Sequence, residues 1–334
     1  MKKKILFGVI ALTLVALLVP LCAACPQVTT PTPPTPPTRA IDPIVSTQWL
    51  EDNIATPGLV LLDARDAPFY EASHIPGSVN VPALGNFYLC LFDPNCGLWM
   101  ERPTDEALFT AIGNAGITAD SLVVVIGRTV EPYAPYAVAD AARAAITLIY
   151  AGVENVALLS GGYDKWAAEG RATSTEPVTP TAVAYTGVAD VSMFVAMDYV
   201  ASKVGVSGTT LVEGREPNIY YGIEQEPWTT RAGHIPSAKN LPAPWFWDTT
   251  VDEAGVTTYI TWKDTSAITE MATTVLGNDG DEEIIAYCGV GGYASPVWYA
   301  LTQVVGYRDV KIYDGSMQEW SADPTKDVIK YKYE

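Results

Sequence analysis

One series of short motifs occurs twice along this chain, in the same order, and this repetition limits the possible architecture more than any other feature. The first copy runs Leu59-Val-Leu-Leu-Asp63-Ala-Arg65, His74-Ile-Pro-Gly77, Val81-Pro82, an apolar run from Leu122 to Ile126, and Leu159-Ser-Gly-Gly-Tyr-Asp-Lys-Trp166. The second runs Thr210-Leu-Val-Glu213-Gly-Arg215, His234-Ile-Pro-Ser237, Leu241-Pro242, an apolar run ending at Tyr287, and Tyr313-Asp-Gly-Ser-Met-Gln-Glu-Trp320. Corresponding positions stand 150 to 161 residues apart, too far for a solenoid and right for two whole domains. With 334 residues, 49% of them hydrophobic, the chain has enough apolar material for two full cores. The Thr/Pro/Glu-rich stretch from Thr173 to Thr181 is the natural linker. The expected division is an N-terminal domain over 41–172, a linker over 173–184 and a C-terminal domain over 185–330.

Within each copy, short β-rich runs alternate with helical patterns. Ala134 to Tyr150 repeats apolar residues at helical spacing and ends near Gly152, and Val156 to Leu159 returns as a strand. Such alternation predicts an α/β fold, a mostly parallel sheet with helices on both faces in each domain. Ligands of such sheets sit beyond the carboxyl ends of the strands.

One residue at such a position carries obvious chemistry. The run Ile284-Ile-Ala-Tyr delivers Cys288 into a glycine-rich loop, Gly289, Val290, Gly291, Gly292, Tyr293, and a helical pattern follows from Ala294 to Val305. Backbone N–H groups and a helix start aimed at one sulfur favour thiolate over thiol. Gly289, Gly291 and Gly292 are expected to supply the backbone angles that turn those N–H groups inward, and Pro296 suits the first helical turn. The bland alternative is a strand-to-helix turn around a buried, inert cysteine. In the first copy the matching position is Gly127, so no thiol is available there, and Thr129 reads as a loop residue because no base is placed to activate it.

The remaining cysteines and the N-terminus point to export. Lys2, Lys3 and Lys4 precede an apolar run from Ile5 to Leu21, and Leu21-Cys-Ala-Ala-Cys25 resembles a bacterial-type lipoprotein cleavage site, in which Cys25 would carry the lipid. Cys22 stands where such sites place an aliphatic residue, so simple secretion and a retained membrane anchor remain beside that reading. All three place the protein outside the cytoplasm, as a membrane-anchored lipoprotein or a secreted protein, with residues 1–24 as signal. Residues 25–40, rich in proline and threonine, then read as an extended tether. Cys90 and Cys96 share a Pro/Asn/Gly-bearing loop, where a local disulfide is preferred over two buried thiols. Two histidines and no second cysteine pair argue against a metal site. The formal charge of −18 disfavours nucleic acid and anionic lipid, leaving a membrane contact only through the N-terminal anchor. A small anionic substrate would need local cations.

Taken together, the paired D-x-R, His-Ile-Pro and G-x-x-x-x-W elements, with Cys-Gly-Val-Gly-Gly-Tyr-Ala after an apolar strand, resemble tandem rhodanese-domain sulfurtransferases of the thiosulfate and mercaptopyruvate type. The resemblance covers Ile41 to Val328. It implies a catalytic C-terminal domain, a degenerate N-terminal partner and no cofactor. It also implies a relay in which Cys288 takes a sulfane sulfur from a small anionic donor and passes it to cyanide or another thiophilic acceptor. Arg215 is the implied substrate-binding cation, with a structural ion pair as its other reading. Glu213 replaces the family's usual aspartate, and Ile219 stands where mercaptopyruvate-type members carry a second arginine, which favours thiosulfate over mercaptopyruvate. His74 and His234 are expected to brace loops. Trp228, Trp245, Phe246 and Trp247 could wall the cleft, although aromatics at such density more often form core or a domain interface, and Met317 could widen the pocket slightly. Cysteine phosphatases need arginine six residues after the nucleophile, but that residue is Ala294. The rival to an enzyme is a tethered sulfur carrier, sensor or partner-binding module.

Overall fold

The structure is a computed structural model that describes residues 34–90, 95, 97–130 and 136–332. The expected signal, Cys25 and the first part of the tether lie outside the described residues. The last part of the expected tether is not a free spacer. Arg39 donates to Gln303 and to the Val156 carbonyl, and Ala40 N–H bonds Asn155 Oδ1 at 2.8 Å, so this stretch is pinned to the folded body by its one cation and its backbone.

Two five-stranded parallel sheets repeat one topology. The first contains β1 (Ile44–Val45), β2 (Leu59–Asp63), β3 (Val79–Asn80), β4 (Leu122–Ile126) and β5 (Asn155–Leu159), in the order β1-β5-β4-β2-β3. The second contains β6 (Phe194–Val195), β7 (Thr209–Glu213), β8 (Lys239–Asn240), β11 (Glu283–Tyr287) and β12 (Val310–Tyr313), in the order β6-β12-β11-β7-β8. An antiparallel hairpin, β9 (Trp247–Val251) with β10 (Thr257–Trp262), lies in the second copy. The central strands explain themselves. Val123 to Ile126 and Ile284 to Tyr287 are almost wholly buried, as continuous apolar runs in a sheet covered on both sides must be.

The repeated motifs do the same structural work twice. Asp63 grips Arg65 through Nε and Nη2, and Glu213 grips Arg215 in the same way. Asn80 and Asn240 each tie two carbonyls of those arms, Asp63 with Arg65 and Glu213 with Arg215. His74 stacks on Tyr70 and His234 on Tyr220, and each Nδ1 meets the carbonyl of the tyrosine it stacks on. Both imidazoles are fully buried, which is the bracing role expected of them.

One apolar core runs through both copies. The helix Tyr136–Tyr150 is buried on nearly every side, and its alanines let it lie close to the helix Ala294–Tyr299 of the second copy. That second helix continues as a π-turn over Ala300–Val305, so the helical pattern expected from Ala294 to Val305 holds with a widened end. Tyr299 Oη donates across the seam to the carbonyls of Pro43 and Val156, at 2.6 and 2.7 Å. Arg143, wholly buried, makes a two-pronged pair with Asp314 of the second copy at 2.5 and 2.8 Å. Replacing Arg143 by methionine strands a buried carboxylate and is expected to cost ~3–5 kcal/mol in chemical denaturation, with much of that loss recovered by adding Asp314→Leu.

Candidate active site

Cys288 is the first residue beyond β11, whose last residue, Tyr287, lies in register with Glu213 of β7. The thiol therefore leaves the sheet beside the Glu213–Arg215 arm, at the carboxyl edge where ligands of such sheets sit. Its loop is stapled to the turn after β12. Cys288 N–H donates to Ser316 Oγ at 3.2 Å, Met317 N–H to the Cys288 carbonyl at 3.0 Å, and Gln318 N–H to the Gly289 carbonyl at 2.9 Å. Inside the loop, Ser295 Oγ donates to the Gly291 carbonyl at 2.9 Å. The backbone N–H groups of Val290 and Ala294 are directed at the sulfur. The side chain is 2% exposed, and the little that shows faces a cavity.

The glycines are needed for different reasons than their grouping implies. Gly291 alone among the loop glycines has a left-handed backbone, with φ at +87°. Gly289 is required for space, because a Cβ there would collide with the Glu226 carboxylate and the Trp228 indole nitrogen. Gly292 leaves room for Met100, whose sulfur would stand 3.2 Å from a Cβ. At the matching place in the first copy, a Cβ on Gly127 would meet the Ala141 methyl at 2.7 Å, so that loop has no room for a cysteine. Thr129 is held by Asp164 and the Gly161 carbonyl, as a loop residue would be.

The cavity above Cys288 has a volume of about 310 Å³ and lies on the seam between the two copies. The second copy contributes the loop, Arg215, Glu226 and Trp228, and the first contributes Trp99, Met100, Tyr136, Ala139 and Asp140. Gln318 holds Trp99 in place by bonding both its N–H and its carbonyl at 2.8 Å, and Arg102 N–H reaches Asp314 Oδ2 at 3.0 Å. The segment bearing Trp99 follows Cys90, which is disulfide-bonded, while the expected partner Cys96 lies outside the described residues.

The electrostatics of the site are acidic. Burial, then Glu213, then Glu226 push the Cys288 thiol up to about 11, against the pull of the Ala294 and Val290 N–H groups. Expected to hold substrate, Arg215 does line the cavity, but its donors go to Glu213, to Glu226 at 2.9 Å and to the Gly233 carbonyl. Its structural ion pair is thus the reading the geometry supports, because two buried carboxylates neutralise a single guanidinium. Asp140 is pushed up to about 7, chiefly by burial and against its hydrogen bond from Tyr88. Among the described residues, no cluster of three or more His, Cys, Asp or Glu is placed to hold a metal ion.

Other expectations fare unevenly. Trp228 lines the cavity, whereas Trp245 is exposed, and Phe246 and Trp247 are buried in the core, Trp247 with its ring against Tyr293. Met317 is fully buried in the core of the second copy and does not border the cavity. Trp99, Met100, Tyr136, Asp140 and Glu226 had no motif to announce them, because four of the five come from the copy that lacks the thiol.

Comparison with known proteins fits this geometry. The rhodanese-like domain profile matches residues 46–169 and 197–323, one match per copy. A candidate thiosulfate sulfurtransferase, SseA, of Mycobacterium tuberculosis is 29% identical over 286 residues, covering 83% of this chain and 87% of that protein. The sulfur carrier protein TtuD of Thermus thermophilus is 31% identical over 289 residues, covering 83% and 93%. Among solved structures, an anaerobic ergothioneine biosynthesis enzyme from Chlorobium limicola superposes with a TM-score of 0.69 at 23% identity, covering 86% of this chain and 70% of that one, a likeness of fold. With two matched domains in tandem and relatives named for sulfur transfer, the chain belongs to the rhodanese family and is a tandem-domain sulfurtransferase.

Proposed function

We propose that this sulfurtransferase works by covalent relay through Cys288, with thiosulfate as donor and a thiophilic nucleophile as acceptor. The observation that carries the reading is the sulfur of Cys288, directed into a 310 Å³ cavity with the N–H groups of Val290 and Ala294 turned toward it. In the first half-reaction the thiolate attacks the outer sulfur of thiosulfate. The S–S bond breaks, sulfite leaves with its electron pair, and Cys288 becomes a persulfide. In the second, the acceptor attacks the terminal sulfur and Cys288 leaves as thiolate. The two N–H groups stabilise the sulfur anion at both ends of this cycle. Arg215 positions Glu226 and the loop arm and has little charge left for the donor, so thiosulfate should be a low-affinity substrate. A lipid-anchored or secreted setting outside the cytoplasm is part of the same proposal, resting on the N-terminal sequence.

The relay is tested by intact-mass measurement of the protein without its signal, first reduced, then treated with thiosulfate, then with cyanide. The expected result is one added sulfur that cyanide removes as thiocyanate, repeated turnover in the presence of both, and no adduct in Cys288→Ala. An adduct that forms once without turnover would replace the enzyme by a carrier, and no adduct at all would end the reading.

The raised pKa makes a second prediction. Below about 11 the thiolate fraction rises with pH, so alkylation of Cys288 by iodoacetamide should accelerate by ~tenfold per unit between about pH 7 and 10. Glu226→Gln removes one of the charges that hold the thiol protonated and should raise the rate several-fold near pH 7. A flat pH profile would show that the loop, and not the carboxylates, controls the sulfur.

A further inference from the structure

The wall of the Cys288 cavity is ill suited to a dianion and well suited to the opposite charge. Arg215 is the only basic side chain among its described lining residues, and its guanidinium is bound to Glu213 and Glu226. Four aromatic side chains joined ring to ring line the same cavity. Trp99 meets Trp228 at 6.1 Å, Trp228 meets Tyr136 at 6.5 Å, and Tyr136 stacks on Tyr293 at 5.1 Å. Carboxyl groups of Glu226 and Asp140 complete the wall. The hydroxyl of Tyr293 is buried and has no hydrogen-bond partner among the described residues.

Ring faces carry negative charge density, and an organic cation with a diffuse, weakly hydrated charge loses little by leaving water for such a site. The Arg215 cluster holds two carboxylates to one guanidinium, and that surplus negative charge adds Coulomb attraction in a place screened from solvent, while the net charge of −18 adds long-range attraction for cations. A ligand of this kind also relieves the repulsion that the acidic wall exerts on an anionic persulfide.

We propose that this cavity is a cation cage and that the acceptor is a small organic cation, of the quaternary ammonium type, carrying a soft nucleophile. The proposal rests on the relay reading for its chemistry, though not for its binding. In the transfer step the nucleophile's electron pair forms a bond to the terminal sulfur of the persulfide. The S–S bond breaks, its electrons return to Cys288 as thiolate, and no oxidant or reductant is consumed.

The test uses three thiols that differ in charge, thiocholine, mercaptoethanol and mercaptoethanesulfonate, each mixed with sulfur-loaded protein. Rates of sulfur loss are read by intact mass and compared per thiolate. The cation should outpace the neutral thiol by about tenfold and the anion by more, in line with a cation–π site backed by carboxylates. Trp228→Leu and Glu226→Gln, both checked for native melting, should flatten the series. Equal rates, or a faster sulfonate, would overturn the proposal whatever the variants do. A second arm needs no sulfur: calorimetry of Cys288→Ser with choline and with its uncharged tert-butyl analogue should show binding of the charged compound alone. If choline binds while Cys288 never loads, the cage stands and the relay falls. If Cys288 loads but choline does not bind, the cage falls and the relay stands.

Discussion

A guanidinium from one copy, buried without solvent contact against a carboxylate of the other, sets the seam on which the site depends. Arg143 sits in the middle of the alanine-rich helix of the first copy, and Asp314 opens the turn that staples the Cys288 loop. The pair therefore couples domain docking to loop geometry. Its partners reinforce that link, since Asp314 also accepts from Arg102 N–H, close to the residues that close the cavity. A buried pair of this kind is a weak source of net stability and a strong source of register, because any displacement leaves a charge without a partner in a medium that cannot solvate it.

The sulfur of Cys288 stands between opposed influences. Two backbone N–H groups favour the anion, while burial and two carboxylates oppose it, and in the resting site the opposition wins. A thiol kept protonated until substrate arrives is less exposed to adventitious oxidation, since the thiolate is the form that oxidants attack. The same carboxylates that restrain the sulfur also occupy Arg215, so one group of charges governs both the nucleophile and the cavity wall.

The two copies show how a repeat can be kept as scaffold and divided in function. The arm, the asparagine tie and the stacked histidine recur nearly contact for contact. What differs is local: Ala141 fills the place where a Cβ on Gly127 would go, and Glu226 enters the second copy to take a guanidinium whose counterpart, Arg65, instead lies over the Tyr163 ring. The copy without a thiol serves by lending Trp99, Met100, Tyr136 and Asp140 to the other's cavity.

Much of this is legible in the sequence. The motif order determined two parallel α/β sheets, because apolar β-branched runs separated by helical periods have few other ways to bury themselves. It also determined where Cys288 stands, since strand, glycine-rich loop and helix are contiguous in the chain, and the bracing role of both histidines, since each lies in a local turn. Local sequence could not reveal the cavity wall. Trp99, Tyr136 and Asp140 lie 148 to 189 residues from Cys288 and reach it only because two domains share one core. Nor could it reveal that Arg215 is already neutralised, because the decisive partner, Glu226, belongs to no motif and meets it through the path of a loop. Periodicity and turn chemistry are written along the chain, but the balance of charge around a buried sulfur is a sum over distances that only the folded structure sets.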